Sequence, residues 1–260
     1  TLLKDQIAIR TFADWDEQEP GFFEIDLVGH EGGNAAGDFC HTLTITDVDT
    51  GWVDLYGLQN KAQRWTHEAI DAARQSLPIV MRGIDTDNGS EFINHHLLRY
   101  CEAHGITFTR GRPHRKNDTC YVEQKNGHVV RRAVGHLRYD TDRELAALNA
   151  IYRPLCLLVN FFYPSVKLVK KTRTGSKVRR IYDDPQTPYH RMLASESVSE
   201  KVKNRLKQQY ATLNPVALKR ELTRLTEDLL QLNVSKTAKA APSTVQAPSE
   251  ERGGSGRPAK

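Results

Sequence analysis

The stretch GFFEIDLVGH, Gly21 to His30, alternates Phe23, Ile25 and Leu27 with Glu24, Asp26 and Val28. A period of two is the signature of a β-strand with unlike faces. Asp26 then lies in mid-strand, turned away from Ile25 and Leu27. A carboxylate in an apolar setting needs a metal, a cation or water beside it. The plain alternative is an aspartate on a solvated strand surface.

Outward from this strand, His41 to Leu58 reads as two strands joined by a turn at Asp49-Thr50-Gly51, with Leu43, Ile45, Trp52, Val53 and Leu55 as apolar weight. Lys61 to Ser76 has helix-forming composition, and Pro78 stops it before an extended run from Ile79 to Asp87. A helix is predicted over Glu91 to His104 with Gly105 as its C-cap, followed by a short strand, Ile106 to Arg110. Helix returns over Thr119 to Arg138. Thr141 and Glu144 fit a capping box for a further helix with Leu145, Leu148, Tyr152, Leu155, Val159 and Phe162 at helical spacing, which Pro154 is expected to kink. This order predicts an α/β fold, a mixed five-stranded sheet flanked by helices.

The 260 residues allow one main domain and something smaller. We divide them into a lead-in at 1–19, a core at 20–165, a basic arm or small strand-rich module at 166–192, helices at 193–233 and a disordered tail at 234–260. The tail lacks aromatics and is rich in Ala, Ser, Pro, Gly and Lys. Net charge is a modest +5. Its distribution says more: between Asn160 and Arg191 stand Lys167, Lys170, Lys171, Arg173, Lys177, Arg179, Arg180 and Arg191 against Asp183 and Asp184. Such a run neutralises phosphates without reading bases. Asn214-Pro215 suits a helix start, and Leu218, Leu222, Leu225, Leu229 and Leu232 form a leucine seam, an intramolecular helix pair or a dimer contact.

Cys40, Cys101, Cys120 and Cys156 show no paired spacing, as expected of reduced thiols. His95, His96, Cys101, His104, His114 and Cys120 lack a recognised zinc spacing. No 18-residue apolar span or signal peptide is read from the sequence, so no membrane partner and a cytoplasmic location are expected. The chain opens on Thr1 rather than Met, which suggests a missing upstream segment.

Two more carboxylates complete the candidate chemistry. Asp87 ends the extended run in Ile84-Asp85-Thr86-Asp87-Asn88-Gly89-Ser90-Glu91-Phe92, where strand-end carboxylates often line sites but Asp, Asn and Gly also make ordinary turns. Glu123 stands in Tyr121-Val122-Glu123-Gln124-Lys125-Asn126-Gly127-His128; α-helical spacing puts Asn126, Gly127, Val130 and Arg131 on its face and Val122, Val129, Ala133 and Leu137 toward a core. Between Asp26 and Asp87 lie 60 residues, and between Asp87 and Glu123 lie 35. Asp85 is the rival to Asp87, and Glu91 could cap its helix. Phosphate contacts are expected from the basic loop before Glu123 (Arg112, Arg115, Lys116), from Lys125 and Arg131, and from Lys170, Lys171 and Arg173, with Asn88 a further candidate contact beside Asp87.

Asp26 in EIDLVGH, Asp87 in DTDNGSEF and Glu123 in YVEQKNG, with the 35-residue second spacing, resemble the D,D-35-E signature of DDE transposases and retroviral-type integrases, and more closely the insertion-sequence transposases of bacteria. The likeness covers roughly residues 20 to 165. It implies a ribonuclease-H-like fold and a Mg²⁺-dependent polynucleotidyl transferase (Mn²⁺ may substitute) that cleaves and joins DNA strands. Two ions would be held, Asp26 bridging both while Asp87 and Glu123 each hold one. The implied partners are transposon ends and target DNA, with homo-oligomers assembled on DNA. A DNA-binding regulatory fragment and a hydrolysis-only nuclease of the same fold are the alternatives.

Overall fold

The computed structural model describes residues 2–11, 19–112 and 119–240. Along the chain come α1 (Leu3–Gln6), β1 (Ala8–Ile9), β2 (Phe22–Gly29), β3 (His41–Asp47), β4 (Val53–Leu58), α2 (Gln63–Ser76), β5 (Gly83–Thr86), α3 (His95–His104) and β6 (Thr107–Arg110). Next are α4 (Cys120–Lys125), a π-helical segment (Asn126–Arg131), α5 (Arg132–Val134) and α6 (Asp142–Phe162). Then follow β7 (Leu168–Thr174), β8 (Lys177–Tyr182), α7 (Pro188–Ala194), α8 (Glu200–Thr212) and α9 (Pro215–Ala240).

The sheet is mixed, in the order β1-β6-β5-β2-β3-β4. β2, β3 and β4 form an antiparallel meander, while β5 runs parallel to β2, β6 to β5 and β1 to β6. The sheet has six strands, not the five expected. The sixth, Ala8–Ile9, is too short to show a period, and it is drawn to the edge by pairing with Thr109 and Arg110. Arg110 also donates through Nε and Nη2 to the Lys4 carbonyl, tying the lead-in down.

Apolar alternation on β2 divides the core between the two sheet faces. Phe23 and Ile25 pack with Ile70 and Ala73 of α2 and Leu97 and Cys101 of α3. Val28 joins Val53, Leu55, Val130, Leu148, Ile151 and Leu155 beneath α6. The Thr141–Glu144 capping box opens α6 as expected, and the helix continues through Pro154. By length and composition α6 could cross a membrane, contrary to the expectation that no such span exists, yet half of its most apolar window is buried inside this protein. Leu222 and Leu229 are buried against it, with Leu218 and Leu225 half-buried, so the leucine seam closes on α6 of its own chain.

Two asparagines of α6 clasp the outer edge of the sheet. Asn160 accepts from the Val53 amide (2.9 Å) and donates to the Val53 carbonyl (2.8 Å). Asn149 does the same at Gly57, with 2.9 Å and 3.3 Å. A Cβ at Gly57 would stand 3.0 Å from the Asn149 amide nitrogen, so glycine permits this approach.

Three helix boundaries differ from expectation. α3 starts at His95, not near Glu91, because the Asn94 side chain accepts from the Leu97 amide at 2.9 Å and caps it there. The helix after Glu123 is not a uniform α-helix: its π-helical turn brings Val129 and Val130 both into the core. Val130 therefore leaves the Glu123 face, and Leu137, beyond the last turn, is 39% exposed rather than core. α9 passes Val234 and reaches Ala240 because Asn233 donates to the Arg138 carbonyl and to Glu144, while Lys236 pairs with Asp140 and Glu144. The remainder of the expected tail, 241–260, lies outside the described residues. The basic segment folds as a two-stranded antiparallel ribbon, β7–β8, anchored at its base by the Arg191–Asp183 and Lys167–Asp49 ion pairs.

Candidate active site

Strand alternation puts Glu24 and Asp26 on one face of β2, and Glu24 lies beside Asp85 of β5 in the sheet register. Asp26 is half-buried. Its Oδ1 accepts from the Leu27 amide at 2.8 Å and its Oδ2 from the Asn126 side chain at 2.7 Å. Burial first, then the negative charges of Asp87 and Glu123, push its carboxyl up to about 7 against the two hydrogen bonds. The charges of the end of β5 and the first turn of α4 are therefore felt at mid-β2.

Asp87 follows β5 directly, is exposed, and accepts from the Gly89 amide at 2.8 Å, the short turn its sequence suggests. Glu123 is exposed in the first turn of α4. Among the described residues, no three His, Cys, Asp or Glu side chains stand close enough together to hold a metal ion as they lie. Asp85, the rival of Asp87, is fully buried and accepts from Thr109 Oγ1 at 2.5 Å. Glu91 does not cap α3; Asn94 does.

Glu24 was not among the residues expected to matter. It is fully buried, and its Oε2 accepts from the Val122 amide at 2.8 Å. Burial pushes its carboxyl well above the usual range. A signal was present in the sequence: a second acid at two-residue spacing from Asp26, on the same face. Asn126 was placed on the Glu123 face, but its bond to Asp26 was not foreseen.

The expected nucleic-acid contacts divide by accessibility. Asn88 donates to the Gly111 carbonyl (2.8 Å) and accepts from Arg110 (3.0 Å), so its side chain braces the loop after β5. Arg131 donates to the Gly29 carbonyl at 2.6 Å and faces Glu31 at 3.9 Å, an internal brace 20% exposed. Arg112 is exposed, whereas Arg115 and Lys116 lie outside the described residues. Lys125 is half-buried, and its ammonium is lowered to about 8, chiefly by burial and then by Arg191. With His128, Arg132 and Lys219 it lines a cavity of about 520 Å³ floored by Val129, Leu155 and Val159. Lys170 and Arg173 are exposed on β7, which also carries Lys171.

Residues 16–116 match the family model of the integrase core domain. The match ends before Glu123. The chain is 38% identical over 191 residues to the uncharacterized protein y4rM of Sinorhizobium fredii; the aligned part is 74% of this chain and spans only 55% of that protein's length. Among solved structures, the catalytic core domain of BIV integrase aligns with 65% of this chain and 91% of its own at 19% identity and a TM-score of 0.42. The HTLV-2 integrase catalytic core domain in complex with magnesium aligns with 56% of this chain and 90% of its own at 16% identity, also with a TM-score of 0.42.

Proposed function

We propose that this chain, whose residues 16–116 match the integrase core domain model, is the catalytic part of a DNA transposase or integrase, a Mg²⁺-dependent polynucleotidyl transferase built on Asp26, Asp87 and Glu123. The observation that carries the reading is the placement of Asp26: a half-buried carboxylate at mid-sheet, gripped by the Leu27 amide and the Asn126 side chain, whose proton affinity is raised first by burial and then by the charges of Asp87 and Glu123 from two separate elements. Negative charge converging on a half-buried carboxylate would be relieved by a divalent cation, and an all-oxygen donor set suits Mg²⁺, with Mn²⁺ able to substitute. Asp26 would face both of two ions, with Asp87 and Glu123 each facing one. Bound ions would supply activation of the attacking oxygen and stabilisation of the leaving one.

The chain's own contribution is orientation. The Leu27 amide and the Asn126 side chain fix the plane of the Asp26 carboxylate. The Gly89 amide holds one oxygen of Asp87. Glu123 and Asp87 are exposed, and to share an ion with Asp26 their carboxylates would have to draw closer to it than they lie here. DNA, as element ends and target, would lie across this face, with the β7–β8 ribbon and Lys125 neutralising phosphates and copies of the chain assembling on it, in the cytosol.

The test is a short DNA duplex incubated with the protein and Mg²⁺ or Mn²⁺, with products separated on a denaturing gel. Metal-dependent nicked and joined strands that vanish with Asp87→Asn are expected. Nicks without joining would reassign the chain to the hydrolases of this fold. DNA that is bound but unaltered by either protein would refute an enzymatic role.

A further inference from the structure

We propose that Glu24 is a positioning residue that sets Glu123 against Asp26 by serving as a helix cap supplied from the sheet. The proposal rests on the reading of Glu123 given above. The first turn of a helix exposes amides that need acceptors, and a side chain at the N-cap ordinarily provides one. At α4 the N-cap residue is Thr119, whose side chain makes no capping hydrogen bond. The acceptor is instead Glu24 Oε2, 2.8 Å from the Val122 amide, between residues 98 apart in sequence. Both residues are fully buried. The residue that follows Val122 is Glu123.

A second bond makes this a register device. Asn126 donates to Asp26 Oδ2 at 2.7 Å. Glu24 and Asp26 are two residues apart on a strand, a rise of about 6.6 Å. Val122 and Asn126 are four apart on a helix, a rise of about 6 Å. The two spacings agree, so two acids of β2 hold α4 near its start and at its junction with the π-helical segment, with Glu123 between the two points. With either tie removed, the helix could pivot on the other. The burial of Glu24 matters here, because a solvated cap would compete with water and fix the angle poorly.

The experiment compares Glu24→Ala, Glu24→Gln and Glu123→Gln with the unaltered chain by amide hydrogen exchange and by Mn²⁺ titration of DNA cleavage. Gln keeps an acceptor for Val122; Ala does not. For Glu24→Ala we expect faster exchange at Tyr121–Glu123, with β3 and α6 amides unchanged. We also expect the half-saturating Mn²⁺ concentration to rise about tenfold, as when a cap and a buried hydrogen bond are lost together. The rate at saturating metal should fall less. Glu24→Gln should restore most of both. Local protection and metal response unchanged in Glu24→Ala would overturn the proposal, as would Gln behaving like Ala while its α6 amides stay protected. Glu123→Gln separates the two readings: if it leaves the metal response untouched, Glu123 is no ligand, whereas the exchange data still report whether Glu24 caps α4.

Discussion

Replacing Asp26 by asparagine should abolish strand cleavage and yet stabilise the metal-free protein. The Asp26 carboxyl is raised from 3.8 to about 7, by burial and by Asp87 and Glu123. In the folded chain it holds its proton up to about pH 7, while the unfolded chain releases it near pH 4, so ionisation weighs against folding as pH rises through that window. At about 1.4 kcal/mol per pH unit, a gap of about three units gives an upper bound of roughly 4 kcal/mol, which partial solvent access reduces to about 2 to 3. Asparagine carries no charge; its Oδ1 can still accept from the Leu27 amide, and its Nδ2 can donate to Asn126 Oδ1, which has no partner here, once the Asn126 amide is turned over. Urea denaturation with EDTA should then find Asp26→Asn about 2 to 3 kcal/mol more stable than the parent at pH 8 and nearly equal to it at pH 4. Mg²⁺ should raise the parent's midpoint and leave that of the variant unchanged. A variant no more stable than the parent at pH 8, or one stabilised equally by Mg²⁺, would refute the idea that clustered charge at Asp26 is what the cation relieves.

Three further outcomes are expected. Asn160→Ala leaves the buried amide and carbonyl of Val53 without partners; at about 1 to 3 kcal/mol for each group, a urea titration should show a loss of about 3 to 5 kcal/mol, and a loss below about 1 would mean that the clasp adds nothing. His30 is lowered to about 3 against 6.5, first by burial and then by Arg131, His41 and His136, so only the unfolded chain takes up its proton as pH falls from 6.5. Stability should drop by about 2 kcal/mol between pH 6.5 and 5, a slope that His30→Gln should flatten in parallel denaturation series. Replacing the exposed Lys170 and Arg173 by alanine should reduce the slope of log affinity for duplex DNA against log salt by about 0.9 per lost phosphate contact, up to about 1.8, without shifting the melting temperature; an unchanged slope would place the DNA elsewhere.

What the sequence disclosed follows from the range over which each signal acts. Alternation in β2, the Thr141–Glu144 box and the spacing of Leu218 to Leu229 are local, and each names its own partner face. β1 has two residues and no period. The end of α9 could not be read near Val234, because Asn233 and Lys236 hold it through Glu144 and Asp140, 89 and 96 positions away. In the candidate site the three acids could be picked out singly, but which of Asp85 and Asp87 faces solvent was settled by burial in the sheet. The tie from Glu24 to Val122 and the π-helical turn after Glu123 arise from the packing of α4 and its continuation on β2 and β3. Neither belongs to any single segment.

The clasps on β4 also bear on how copies of the chain could meet. A sheet edge with unpaired amides and carbonyls is a template for another strand, and open edges invite chains to join without limit. At β4 an arriving strand would find Val53 and Gly57 already engaged at both donor and acceptor. The opposite edge, β1, offers two residues. Growth by extending the sheet is thus blocked at one border and nearly denied at the other, so copies that did assemble would meet through side-chain surfaces, whose geometry can select a closed and finite number of copies.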